Sequence, residues 1–311
     1  MGEIDVLRQV AGRQGGMVTT EQALGAGFSR DQIRHLCRSG RWVRVARGRF
    51  VPAPVVSLGA GALRRARLRA AVDSLGPHAF AVLDTAAELH RLAGLRPTST
   101  IHVSVPVDCP RPQRPRDPAL VVHQLTVDRR DLCVVSGVRA TTVLRTVADV
   151  ILRVDRCPAV CVLDSALNRQ LLTEDDMSLL PALIARRRGA VGARACLTEA
   201  DGRAQSPLET RARLRCVDGG VPPDELQIEV RDDEGHLLGI GDLGWRAARL
   251  IAEADGQEPH RGPEALYADR TRQNRLVNAG WRILRFTWAD TLRPDYIPYA
   301  VKAALASTPP R

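Results

Sequence analysis

GDLGWRAARLIAEADGQEPH, residues 241–260, places three carboxylates, Asp242, Glu253 and Asp255, and one histidine, His260, around the run ARLIAEA, which otherwise reads as the buried strand of a sheet. Burying a carboxylate costs several kcal/mol unless a partner neutralises it. The strand period of two points Glu253 and Asp255 to one face, and Asp242 falls near the C-terminal end of the preceding strand. Their convergence predicts a pocket of hard oxygens, of the kind that holds a magnesium ion together with several waters.

Outward from that run, Ser206-Pro207-Leu208-Glu209 reads as a helix start, with Ser206 as N-cap, Pro207 at the first position and Glu209 closing a capping box. The helix extends to about Val217. LQIEVRD and HLLGIGDLGW form a hairpin turned at Asp233-Glu234-Gly235, and ARLIAEA adds a third strand. A helix over 264–279, the strand WRILRFT and a helix over 295–306 complete a mixed sheet flanked by helices.

The front of the chain has a different character. Of a formal net charge of +10, residues 1–53 carry +5, residues 54–198 carry +7 and residues 199–311 carry −2. A basic front suits a polyanionic partner. The chain has one lysine, Lys302, so its basicity is almost wholly arginine. Ile4, Leu7, Val10 and Ala11 recur at helical spacing. A second helix follows Thr20 as N-cap, and a third opens at Ser29 with Gln32 three residues on. Arg30, Arg34 and Arg38 take the outer side of the third helix, while Ile33, Leu36 and Cys37 face inward. RWVRVARGRFV then alternates as a hairpin bearing Arg41, Arg44, Arg47 and Arg49. Three helices and a wing predict a winged helix-turn-helix whose third helix enters a major groove.

Between these parts, residues 60–75 and 80–93 read as helices, IHVSVPV and ALVVHQL as strands, and 141–155, 158–170 and 173–187 as helices. His90, His102 and His123 read as ordinary core or surface histidines. Arg111, Arg114 and Arg116 read as a solvated loop, and ARRRGAVGAR, residues 185–194, as a flexible joint. Nothing here forms a catalytic constellation. The fold class is therefore α/β, multi-domain α+β, divided into a winged helix-turn-helix at 1–53, an α/β middle domain at 54–200 and a C-terminal domain at 201–311.

Seven cysteines, an odd number, argue against a disulfide framework, and Cys157 and Cys161 read as core residues. Neither a zinc site nor an organic cofactor is expected. No apolar run is long enough to span a bilayer, so the expected location is the cytosol.

Residues 15–51 meet the pattern GG-V-T-Q-A…G-S…IR…SG-RW-RV-RG and so resemble the N-terminal domain of AbiEi-type antitoxins, which implies binding to operator DNA. The segment from LDTAAELHRL to RATTVLRTVAD resembles the region that follows this domain in many proteins of this build. From about 205 to 305 the chain resembles the very-short-patch-repair-endonuclease-like domains of the PD-(D/E)xK superfamily. A helix Glu, an isolated hairpin Asp, E-x-D-G…H and D-x-x-R…L…G-W-x-x-x-R are met by Glu209, Asp242, Glu253, Asp255, Gly256, His260, Asp269, Arg272, Leu276, Gly280, Trp281 and Arg285.

That resemblance implies a restriction-endonuclease-like fold and Mg2+ or Mn2+ held by Asp242, with Glu253 or its neighbouring backbone. It also implies that Glu209 orients metal-bound water, His260 moves a proton, and Arg272 contacts phosphate or pairs with Asp269. The broad superfamily has lysine where this chain has Asp255. Glu209 also reads simply as a capping residue, and Asp255 as half of a turn with Gly256. Trp245, Trp281, Phe286 and Trp288 read as core or sheet-surface aromatics. The sequence thus predicts a protein that binds double-stranded DNA and cuts it, with a non-catalytic antitoxin-type regulator as the alternative. A homodimer and a toxin partner are left open.

Overall fold

The computed structural model describes residues 7, 10–11, 16–52, 60–109, 119–256 and 263–307. Two compact units emerge: Met1–Leu92 with Arg96–Val150, and Ala93–Leu95 with Ile151–Arg311. Both mix helices and sheets.

The first unit opens with β1 (Val18–Thr19), α1 (Thr20–Gly25), α2 (Arg30–Arg38), β2 (Trp42–Ala46) and β3 (Arg49–Pro52), whose strands order as β1-β3-β2. Both helices begin with complete capping boxes, Thr19 with Gln22 and Ser29 with Gln32. The first cap is Thr19 rather than the expected Thr20. Thr19 is the last extended residue, so its hydroxyl faces the Gln22 N–H, while the Thr20 hydroxyl donates to the Gly48 carbonyl at 3.2 Å. The helix expected at the N-terminus is described only at Leu7, Val10 and Ala11, which are helical. Leu7 and Ala11 share a core with Val18, Ala23, Ile33, Trp42 and Phe50. Trp42 stands at its centre, 5.5 Å from the Phe28 ring and 5.9 Å from Phe50.

The same unit continues through α3 (Ala60–Ser74), β4 (Phe80–Ala81), α4 (Leu83–Leu89), β5 (Ile101–Val105), β6 (Leu120–Gln124), β7 (Leu132–Val135), β8 (Val138–Thr141) and α5 (Val143–Ile151). The sheet order is β6-β5-β4-β8-β7. The helix expected over 80–93 therefore begins as a central strand: Phe80 and Ala81 are fully buried, and Ala81 pairs with both Val103 and Ala140. Two residues are too few to display a strand period, so the segment read as helix. The parallel pairing of β5 with β6 sets His102 Nδ1 3.0 Å from His123 Nε2. Arg111, Arg114 and Arg116 lie outside the described residues.

The second unit begins with α6 (Arg156–Asn168), α7 (Glu174–Leu183) and α8 (Ala190–Glu199). The flexible joint expected over 185–194 is instead a packed corner and the start of α8. Gly189, at φ +91°, lies so close to Leu152 that a Cβ there would stand 2.2 Å from its carbonyl oxygen. Ala190, Ala193 and Cys196 turn inward. Glycine at that corner marks close packing rather than freedom.

Then follow α9 (Pro207–Asp218), β9 (Glu225–Arg231), β10 (Leu237–Trp245), β11 (Leu250–Ala254), α10 (Pro263–Asn278), β12 (Arg282–Phe286), α11 (Trp288–Thr291) and α12 (Tyr296–Ala306). Apart from the short α11, this is the element order expected from sequence. The sheet is β12-β11-β10-β9, parallel between β11 and β12 and antiparallel elsewhere. One core joins Ala212 and Cys216 of α9 and Ile297 and Val301 of α12 to Leu243, Trp245 and Ala252. A second joins Leu276 of α10 and Trp281 to Ile228, Val230 and Ile251. The glycines of GIGDLGW are steric: a Cβ on Gly241 would sit 2.4 Å from Ile251, and one on Gly244 2.5 Å from Ile228. Among the described residues no helix is long and apolar enough to cross a membrane.

Candidate functional site

Asp242 acts where a ladder ends. The pairing of β10 with β11 stops at Leu243 opposite Ala252, and beyond it the Asp242 carboxylate takes over, accepting the Ala254 N–H at 2.7 Å. Its other oxygen lies 3.5 Å from the Gln227 amide, which also donates to Glu209 at 2.9 Å. Gln227 holds this position with φ +52°, a conformation that disfavours a non-glycine residue and recurs at functional sites. Glu209 enters from the first turn of α9. Its backbone N–H donates to the Ser206 hydroxyl, but its carboxylate accepts from Gln205 N–H at 2.8 Å rather than from Ser206. The capping box expected there is therefore open on one side.

Asp242 and Glu209 line a cleft of about 1000 Å³ with Glu253, Asp255, Asp269, Arg272, Arg285 and Trp288. Five carboxylates thus face two guanidiniums. Glu253 is 9% exposed and clasped by both, with Arg272 at 2.8 Å and Arg285, its register partner across β11 and β12, at 3.2 Å. The Arg272 contact supplies charge but not hydrogen-bond geometry, and Glu253 Oε1 is buried without a hydrogen bond. Arg272 is further committed to Asp269 at 2.7 Å and to the Ile240 carbonyl at 2.9 Å. Hydrogen bonding from Arg272, then from Arg285, holds the Asp269 carboxyl below its ordinary value.

Asp242 and Glu209 differ from Glu253. Among the described residues neither forms an ion pair. Burial pushes the Asp242 carboxyl above its ordinary value, and burial with the nearby Asp242 charge does the same to Glu209. Asp255 is exposed just beyond β11, its N–H donating to the Phe286 carbonyl at 2.8 Å. His260 lies outside the described residues. No three Asp, Glu, His or Cys side chains among the described residues approach closely enough to form a complete metal cage. The donor chemistry nonetheless fits a hard divalent cation held by two carboxylates with water filling the remaining positions. Among the described residues, Glu209, buried, and Asp242, half-buried, have no ion-pair partner.

Of the four aromatics expected in the core or on the sheet surface, Trp245, Trp281 and Phe286 are buried, but Trp288 is 47% exposed and borders the cleft. Its position after β12 gave no sign of this, because the residue opens a helix of a single turn. Sequence reasoning also missed Gln227, one polar residue in an alternating strand. In the first unit, Arg30, Arg34, Arg38, Arg41, Arg44 and Arg47 are exposed, with Arg34 paired to Asp31. Arg49 is half-buried and donates to the Asp73 carbonyl at 3.0 Å, which takes it out of the exposed set.

Residues 5–52 match the family model described as "Transcriptional regulator, AbiEi antitoxin". Two proteins of Mycobacterium tuberculosis strains, named uncharacterized proteins MT2308 and Rv2248, are each 34% identical over 266 residues, covering 86% of this chain and 93% of theirs. The crystal structure of the RV2827C protein from Mycobacterium tuberculosis aligns with a TM-score of 0.41 at 16% identity, covering 74% of this chain and 85% of that one. With that identity sustained over nearly their whole length, the chain belongs to the family of MT2308 and Rv2248, and its front carries an AbiEi-antitoxin-type transcriptional-regulator domain.

Proposed function

We propose that this is a cytoplasmic DNA-binding protein in which a winged helix-turn-helix at residues 1–53 grips duplex DNA. An α/β segment at 54–200 connects it to a PD-(D/E)xK-like domain at 201–311 that hydrolyses phosphodiesters. The observation that carries the proposal is the pair Glu209, buried, and Asp242, half-buried, which line one cleft of about 1000 Å³ and, among the described residues, form no ion pair. A divalent ion there would neutralise both acids, polarise the phosphodiester and lower the pKa of a water. Asp242 and Glu253 would hold it, and Gln227 fixes Asp242 and Glu209 relative to each other. Arg272 and Arg285 pair with Glu253 and hold it in place in the protein without metal. Asp255, exposed at the cleft rim, stands where the broad superfamily has lysine, and His260 is assigned proton transfer on the resemblance alone.

A second reading has its own observation. The two arginines already neutralise Glu253 as a cation would, which suits a regulator whose nuclease-like domain binds without cutting. Plasmid nicking at low salt separates the readings. Wild type with magnesium or manganese should nick and linearise DNA, and Asp242→Ala and Glu253→Ala should not. A wild type that binds tightly yet leaves varied substrates intact establishes the regulator.

Both readings share the front domain. Replacing Arg34 and Arg38 with glutamine should weaken duplex binding and flatten the slope of log affinity against log salt by about 2, since each lost phosphate contact removes roughly 0.9. An unchanged slope in anisotropy titrations would take α2 off the DNA.

A further inference from the structure

Beside the carboxylate cleft, the second unit carries a surface on which aromatic rings and guanidiniums alternate. Aromatic residues are scarce, with four tryptophans and three tyrosines in 311 residues. Trp288, Tyr296 and Tyr299 nevertheless stand 47%, 42% and 73% exposed on neighbouring elements at the end of the chain. The Arg211 guanidinium stacks 4.7 Å from the Trp288 ring, and Arg293 stacks 4.2 Å from Tyr296. Arg211 and Arg215, one turn apart on α9, donate to the hydroxyl and the carbonyl of Thr291 at 3.2 and 2.9 Å. These bonds fix α11, and hence Trp288, against α9.

Arg215 also lines a second groove, of about 390 Å³, with Tyr299 and Lys302. Asp295 and Asp218 border it as well, the latter neutralised by Arg156 at 2.7 Å. The path from Glu209 therefore runs over Trp288, past Arg211 and Arg215, to Tyr299 and Lys302.

We infer that this path binds an unpaired nucleic-acid strand leaving the carboxylate cleft, with Trp288 and Tyr299 stacking on bases and Arg211, Arg215 and Lys302 facing the phosphates. The inference rests on the reading of the cleft as a phosphodiesterase site and names its substrate as single-stranded or locally opened. Two features favour a nucleic-acid strand over a protein. Trp288 and Tyr296 each carry a guanidinium against the ring and Tyr299 shares its groove with Arg215 and Lys302, and the path begins at Trp288, on the lining of the cleft itself. Stacking of this kind is indifferent to sequence, because every base has a π-face.

The test uses the full chain in chelator, where no cleavage occurs, and anisotropy with labelled oligothymidylate, an abasic oligomer of equal length and a duplex. Wild type should bind oligothymidylate more tightly than the abasic oligomer. Trp288→Ala and Tyr299→Ala should each weaken oligothymidylate binding about ten-fold, within the span expected for one lost base stack. Affinity for the abasic oligomer and the duplex should hold, and Trp288→Phe should retain most of the binding. Tyr299 is too exposed for its loss to unfold the protein, so that variant keeps the test informative if Trp288→Ala misfolds. Equal wild-type affinity for the thymidylate and abasic oligomers overturns the inference and leaves the surface to a protein partner. Failure of the cleft reading looks different: oligothymidylate is bound selectively, but magnesium brings no cleavage of any substrate.

Discussion

Replacing Asp164 with alanine should destabilise the C-terminal unit by about 3–5 kcal/mol, the range for breaking a buried ion pair from one side. In a unit of this size that is a fall of roughly 6–20 °C in melting temperature. Asp164 is 1% exposed in the middle of α6. One of its oxygens accepts the Asp201 N–H at 2.7 Å, and the other accepts from the Thr210 hydroxyl at 2.8 Å and the Arg213 guanidinium at 2.9 Å. Alanine would strand the Asp201 N–H and leave the Thr210 hydroxyl only the Ser206 carbonyl at 3.3 Å, and Arg213, itself 9% exposed with an unbonded Nε, would be a buried charge without a counterion. Burial still raises the Asp164 carboxyl above its ordinary value despite Arg213, so the pair does not fully recover its desolvation cost. The double variant Asp164→Leu with Arg213→Met should accordingly lose less than Asp164→Ala alone. Urea and thermal unfolding followed by circular dichroism read both. A double variant as unstable as the single one would show that the network is more than a compensated pair.

Where the sequence was legible follows from how each signal is carried. Ser206-Pro207-Leu208-Glu209, the hairpin around Gly235 and the apolar LIAEA run each announce themselves over adjacent residues, and the elements lie where their patterns put them. Asp242 and Glu253 were visible because each interrupts apolar strand sequence. Their partners were not: Arg272 and Arg285 meet Glu253 only through the parallel register of β11 with β12 and the packing of α10, neither of which is a local property. Asp164 carried a signal of the same kind as Asp242, a lone acid in the apolar helix CPAVCVLDSALN, and its meaning depended on α9, some 50 residues downstream. Phe80–Ala81 and Trp288 failed for the opposite reason. Elements of two and four residues are too short for any period to be read.

The Asp242→Asn variant should melt higher than wild type in chelator and lose every response to magnesium. Asparagine keeps a carbonyl oxygen to accept the Ala254 N–H but removes a half-buried charge that, among the described residues, no ion pair offsets. The gain expected is about 0.5–2 kcal/mol, as for other substitutions that relieve a functional strain. Its pH dependence has a definite sign. Burial raises the folded-state pKa above the unfolded 3.8, so in the window between them the folded protein holds a proton that the unfolded chain has released. Wild-type stability from this group therefore falls as pH rises through that window, and the variant escapes the loss. The gap between the two proteins is complete above the folded pKa, narrows as pH falls through it and closes near pH 3.8. Magnesium should reverse the order, because a cation that binds only the folded wild type adds about 2.7 kcal/mol at a hundred times its dissociation constant. Calorimetry in chelator and in magnesium reads the crossing. A variant that is less stable than wild type in chelator at neutral pH, or that shares its magnesium shift, would mean that Asp242 is held by its Ala254 and Gln227 contacts as a structural acceptor.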